Sequence, residues 1–236
     1  MSTPTVLAFD VLGTLLQLST GSTANAIQKH LHVSLERAKE IAAEWEYYQT
    51  IYTFRLNSMG EYQSYDEVAR KSLQHVLLDN NIAVEETAFA AVLQSYWKLS
   101  SQSDALDGLK ALNDLQDVKI VFFSNGTEKM ITSSLGAESL LPLGHKWFFA
   151  DSVRKYKPAP EIYHGLLTHL GKSEQPGQVW LVSSSSYDVQ GALHAGMGAI
   201  WVDREGKGWT EQLFDLKPTK IVRSLEEVAV VVKATS

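Results

Sequence analysis

Four short stretches of this chain carry residue types able to do chemistry together. "LAFDVLGTLL" (7–16) ends a hydrophobic run in one carboxylate, Asp10, before the chain bends at Gly13 and Thr14. "SNG" places Ser124 and Asn125 after a second apolar run, and "VRKYKPAPEIY" brings Lys157 just before Pro158. "VSSSSYDVQGA" carries Ser183 to Ser186 and then Asp188. The chemistry that fits is nucleophilic catalysis by a carboxylate. Asp10 would attack an electrophilic carbon or phosphorus and form an ester or acyl phosphate. Lys157 would keep that carboxylate ionised through its opposite charge. Ser124 and Asn125 would donate hydrogen bonds to developing negative charge or to the substrate. Asp188 would orient Lys157 or the water that splits the intermediate.

Each residue has a plainer reading when taken alone. Asp10 is then an N-cap or turn residue after a strand, and Ser124 and Asn125 are turn formers. Lys157 is a solvated lysine, the serine run is a loop, and Asp188 is a charge favourable at a helix start. The joint pattern outweighs these readings, because three of the four polar elements fall at the ends of expected strands. A buried Asp–Lys pair also adds little stability, so its presence favours use.

The elements that must position these residues read as alternating strands and helices. "TVLAF" (5–9), "VKIVFFS" (118–124), "VWLVS" (179–183) and "AIWV" (199–202) are near-continuous apolar runs, as strands covered on both faces require. Helical patterns lie between them: "DALDGLKALNDL", "APEIYHGLLTHLG" with Gly171 as a C-cap, and "YDVQGALHAG". This order predicts an open, doubly wound, Rossmann-like α/β parallel sheet, with ligands bound beyond the carboxyl ends of its strands. The tail "PTKIVRSLEEVAVVVKATS" adds a short strand and a last helix. Residues 17–100 show helical periodicity only. "SLERAKEIAAEWEYYQTIYTFRL" reads as one long helix, and Ser64 with Glu67 opens another with a capping-box pattern. The expected organisation is an α/β core of residues 1–16 and 101–236, with an all-helical cap domain, 17–100, inserted.

Composition narrows the classes. The chain has 236 residues, 44% hydrophobic and 20% charged, which suits one globular protein with a sizeable core. Its net charge of −6 and the lack of a basic cluster argue against nucleic acid as a partner. There are no cysteines, so disulfides, thiolate catalysis and cysteine-ligated metal are excluded. "MSTPTVLAFD" has no basic region followed by an apolar run, and no stretch approaches the roughly 20 apolar residues of a membrane span. The expectation is a cytoplasmic protein with a small-molecule substrate and no membrane partner. Trp45, Tyr47, Tyr48, Tyr52 and Phe54 on the long helix either offer apolar area for a homodimer through the cap or pack the cap's own interior.

With these residues in view, "FDVLGTL", "SNG", "KPAPEIY" and "VSSSSYDVQGA" resemble the four motifs of the haloacid dehalogenase superfamily, in order across the core. The helical insertion sits where that superfamily carries a cap. Within it, the chain is most similar to the type II (S)-2-haloacid dehalogenases, and "YTFRLNSMGEY" (52–62) looks like their cap helix. The resemblance implies Asp10 as nucleophile, Ser124 and Asn125 binding substrate and leaving group, and Lys157 as the superfamily's lysine. It implies that Ser183 and Asp188 hold Lys157 and the hydrolytic water. The implied reaction displaces halide from a small 2-haloacid with inversion, then hydrolyses the aspartyl ester, with no metal or cofactor.

Departures from the pattern fall in the substrate pocket that the resemblance implies. Leu12 stands for an aromatic hydroxyl residue of the dehalogenases and for an acid of the phosphatases. Leucine has no proton to give, and losing a general acid costs about 10²–10⁴ in rate. Asp188 alone is poor provision for Mg²⁺, which argues further against phosphatase action. Ser185 replaces an asparagine, Tyr187 a tryptophan, and Tyr65 lies near a pocket aromatic. Glu46 falls where the dehalogenases have an arginine facing the substrate. Two like charges 4 Å apart at an effective dielectric near 20 repel by about 4 kcal/mol, unless Glu46 lies on a solvated helix face or Arg55 substitutes. Three readings stay open: 2-haloacid dehalogenation, an Asp10-dependent reaction on a neutral or cationic organic molecule, and a ligand-binding relative without turnover.

Overall fold

The computed structural model describes residues 6–18 and 21–235. The sheet is built from β1 (Val6–Asp10), β2 (Lys119–Ser124), β3 (Lys146–Phe149), β4 (Val179–Ser183), β5 (Gly198–Val202) and β6 (Lys220–Val222). These six strands run parallel in the order β3-β2-β1-β4-β5-β6. The first strand thus lies inside the sheet, and later strands add outwards in both directions. Every residue of β1 and β4 is buried, as continuous apolar runs require in a sheet covered on both faces. Thr5, the first residue of the expected first strand, lies outside the described residues.

One strand was not expected. β3 is four residues long, with Lys146 and Trp147 exposed at the sheet edge. A strand that buries only Phe148 and Phe149 leaves too short an apolar run to read. The tail does supply β6 and a closing helix.

The helical insertion follows β1. It contains α1 (Ser22–Leu31), α2 (Leu35–Met59), α3 (Tyr65–Asp79) and α4 (Glu86–Gln94), and forms the cap. α2 begins where the Ser34 side chain accepts the Arg37 N–H, and α3 where Ser64 accepts the Glu67 N–H. Trp45 is fully buried and donates to the Ala69 carbonyl at 2.8 Å, which locks α2 to α3. Tyr48 packs on His75, and the Tyr52 hydroxyl meets His75 Nδ1 at 2.6 Å. Three of the five aromatics of α2 therefore serve the cap's interior. Phe54 packs edge-on against Tyr187 of the core, and Tyr47 is exposed. The core helices are α5 (Ala105–Asn113), α6 (Glu128–Ala137), α7 (Pro160–His169), α8 (Ser186–His194) and α9 (Leu225–Thr235). Among the described residues, no helix is long and apolar enough to cross a membrane.

Candidate active site

Parallel register brings the strand ends together. Asp10, the last residue of β1, pairs with Phe123 on β2, and Phe9 pairs with Val182 on β4. Ser124 and Ser183 therefore end their strands on either side of Asp10, at the carboxyl edge where open α/β sheets bind ligands. After Asp10 the chain turns tightly, with the Gly13 N–H bonded to the Leu16 carbonyl at 2.8 Å. Gly13 sits at φ +83°, a left-handed conformation that favours glycine. The turn folds Thr14 back so that its hydroxyl donates to Asp10 Oδ2 at 2.7 Å. The same hydroxyl oxygen accepts the Ser184 N–H at 2.9 Å, joining the first and last motifs.

Lys157 enters from the loop before α7, and both domains hold that loop. Asn125 Oδ1 accepts the Lys157 N–H at 2.9 Å. From α2, Asn57 brackets the preceding residue, donating to the Tyr156 carbonyl at 2.7 Å and accepting its N–H at 3.0 Å. Lys157 is 1% exposed. It donates to Asp10 Oδ1 at 3.0 Å, Asp188 Oδ2 at 2.8 Å and the Phe123 carbonyl at 2.9 Å. A lysine has three donors, and all are committed. The other oxygen of Asp188, Oδ1, accepts the Tyr163 hydroxyl at 2.7 Å. Gly191 on α8 makes this contact possible, because a Cβ there would collide with the Tyr163 ring and hydroxyl.

Burial works against the charges in this cluster. It penalises the Lys157 ammonium, but the charges of Asp10 and Asp188 and their hydrogen bonds hold it above the ordinary lysine value. Burial pushes the Asp188 carboxyl up, aided by the charge of Asp10 and opposed by Lys157 and Tyr163. Burial and then the nearby carboxylates keep the Tyr163 and Tyr187 phenols protonated. The two aspartates and one lysine already share their counter-charge, so the cluster contains its own cation.

Asp10 opens onto a small cavity of about 90 Å³, lined also by Leu12, Glu46, Tyr65, Asn125, Ser185 and Tyr187. At ~30 Å³ per water, that is room for a ligand of few heavy atoms. Of the expected substrate contacts, only Ser124 is set back. It is fully buried, and its hydroxyl oxygen accepts the Gly126 N–H at 3.1 Å. Glu46 lines the cavity from α2 rather than lying on an outer helix face. Burial, then the charges of Glu46 and Asp10, keep the Tyr65 phenol protonated, and its hydroxyl donates to Gln49 Oε1 at 2.9 Å. Arg55 does not take part: it is exposed and lies over the Tyr52 ring. Ser183 donates to Asp10 Oδ2 at 3.3 Å, so its contact is with the nucleophile candidate and not with Lys157. Asp188 reaches Lys157 and Tyr163 but does not line the cavity.

A larger groove of about 600 Å³ lies on the other side of Tyr187, walled by Phe54, Pro158, His164, His194 and Phe214. It is mainly apolar and holds none of the carboxylate–lysine cluster, whereas Asp10 lines the smaller cavity. Sequence reasoning missed Thr14 and Tyr163. Thr14 lies four residues past Asp10 in the same turn, and Tyr163 closes the "KPAPEIY" stretch. Both signals were in quoted motifs; Thr14's partner Asp10 is four residues away, whereas Tyr163's partner Asp188 is 25 residues away.

The parallel sheet, an acid at the end of its first strand and a helical cap above it together define a capped α/β hydrolase. The chain belongs to the haloacid dehalogenase-like hydrolase family, whose sequence profile matches residues 4–196. It is 28% identical to (S)-2-haloacid dehalogenase 1 of Pseudomonas sp. (strain CBS-3) over 84% of each chain. It is 26% identical to (S)-2-haloacid dehalogenase 4A of Burkholderia cepacia, covering 93% of this chain and 91% of that one. Among solved structures, the L-2-haloacid dehalogenase of Xanthobacter autotrophicus with chloropropionic acid covalently bound superposes with a TM-score of 0.87. That pair shares 24% identity, with both chains fully covered.

Proposed function

We propose that this chain hydrolytically dehalogenates a small 2-haloacid or a close derivative of one, through an aspartyl ester on Asp10. The observation that carries the reading is the buried chain Tyr163–Asp188–Lys157–Asp10, ending in a carboxylate that faces a small cavity of about 90 Å³. Curated relatives named as (S)-2-haloacid dehalogenases, matched over most of their length, support the substrate class. Residues 1–16 and 101–236 act as the catalytic core and 17–100 as the cap that closes the cavity and supplies Glu46 and Tyr65.

Lys157, Thr14 and Ser183 fix the Asp10 carboxylate by hydrogen bonds to both oxygens, so it attacks in one orientation. The attack forms the ester and expels halide with its bonding electrons. Asn125, whose Oδ1 is committed to the Lys157 N–H, has its amide N–H groups to steady the leaving group. Water then attacks the ester carbonyl carbon of Asp10. The donors that held the carboxylate remain in place to stabilise the oxyanion, with Lys157 supplying full charge in a site shielded from bulk water. Asp188 and Tyr163 act through Lys157 as positioning residues. Leu12 gives the leaving group no proton, which halide does not need.

Halide release from 2-chloropropionate and 2-chloropropionamide, wild type beside Asp10→Asn, tests this reading. The expected result is release by the wild type, reduced by about 10⁴-fold or more in the variant. A single turnover in H₂¹⁸O should place the label in Asp10 rather than in the product. Label in the product after one turnover would show direct attack by water and end the aspartyl-ester reading.

A further inference from the structure

Among the described residues, the nucleophile cavity has two carboxylates on its wall and no cation. Asp10 and Glu46 line it, and every other lining side chain is uncharged. The nearest ammonium, Lys157, has its three N–H groups committed to Asp10, Asp188 and the Phe123 carbonyl. Thr50 and Thr53 spend their hydroxyl donors on α2 carbonyls, and the Tyr65 hydroxyl donates to Gln49. A free carboxylate entering this space would lose its hydration beside two like charges and find no charged partner. A primary amide has nearly the same shape and no charge, and its nitrogen donates where a carboxylate can only accept.

We infer that the substrate's carbonyl group is uncharged and carries N–H: a small 2-haloamide, selected by Glu46. This deepens the proposed function and rests on Asp10-dependent displacement. Glu46 accepts from the amide nitrogen, since a carboxylate offers about four acceptor sites and takes this donor beside its existing contacts. An Asn125 amide N–H donates to the substrate carbonyl. In the first step an Asp10 oxygen bonds to the halogen-bearing carbon, and the carbon–halogen bond breaks with its electron pair leaving as halide. Water then adds to the Asp10 ester carbonyl, the ester bond breaks, and the products are a 2-hydroxyamide, regenerated Asp10 and one proton released to solvent.

The test compares halide release from 2-chloropropionamide and 2-chloropropionate by the wild type, Glu46→Gln and Glu46→Arg. The wild type should favour the amide in kcat/KM by roughly a hundredfold, as like-charge placement in a binding site demands. Glu46→Gln should narrow the ratio and Glu46→Arg should reverse it, chiefly through KM. The isosteric Glu46→Gln keeps the comparison readable if the arginine variant does not fold. Preference of the wild type for the carboxylate, or one ratio shared by all three proteins, would overturn the role of Glu46 while leaving Asp10 chemistry standing. No halide from either substrate with the wild type would overturn both.

Discussion

At the residue scale, the site depends on a lysine with no spare donor. Lys157 joins two aspartates inside the protein, and each aspartate has a hydroxyl on its remaining oxygen: Thr14 on Asp10 and Tyr163 on Asp188. This satisfies the rule that buried charges are paired and hydrogen-bonded. The Tyr163→Phe substitution keeps the ring and removes one donor from a fully buried carboxylate. It should lower stability by about 1–3 kcal/mol, read from urea unfolding. It should also lower kcat more than it changes KM, because Tyr163 does not line the cavity. Unchanged stability would mean that Asp188 is satisfied without it. Asp10 and Asp188 were legible as acids at or just after expected strand ends, and Lys157 as the cation of the stretch before Pro158. The role of Tyr163 was not, because it depends on the missing side chain of Gly191, 28 positions further along the chain.

At the element scale, α2 and α8 decide the size and charge of the cavity. α2 places Glu46 on its wall, while Asn57, three turns further along, grips the backbone of Tyr156 next to Lys157. One helix thus sets both the roof of the site and the position of the loop that carries its lysine. From α8, Tyr187 separates the 90 Å³ cavity from the 600 Å³ apolar groove, with Phe54 edge-on at 5.3 Å. Tyr187→Ala should join the two spaces. Activity on 2-chloropropionamide should fall while 2-halo compounds with an aryl side chain gain. The ratio of kcat/KM values should shift by about tenfold or more, a size that pocket shape can supply. An unchanged ratio would show that the groove does not communicate with the cavity. The long helix and its serine cap were readable from periodicity and capping chemistry, and β3 was not, because a four-residue edge strand has almost no pattern.

At the scale of the whole molecule, several buried or half-buried groups share one response to alkali. Lys157, Tyr163 and Tyr187 all have folded-state pKa values above their ordinary ones, 10.5 for lysine and 10.0 for tyrosine. A group raised in the folded state contributes stability that is fully present below its unfolded pKa and is lost as pH rises towards its folded pKa. Thermal midpoints should therefore hold steady from pH 7 to 9 and fall above about pH 10, with each such group removing about 1.4 kcal/mol per pH unit. Tyr163→Phe should flatten that fall. A midpoint insensitive to pH between 10 and 12 would contradict the burial of these groups.

The sequence by itself determined the capped α/β class, five of the six strands (all but β3), and the strand ends where Asp10, Ser124 and Ser183 lie. Those follow from apolar runs, helical period and turn residues, which are local properties of the chain. It also supplied the residue types of a carboxylate nucleophile with a lysine partner. Only the tertiary structure decided that Glu46 faces the cavity, that Ser124 is set back from it and that Asp188 bonds to Lys157 and Tyr163. Each of these depends on the rotation of one helix or the meeting of side chains far apart in the chain. Local pattern carries no record of such encounters, because they are set by packing between the cap and the sheet.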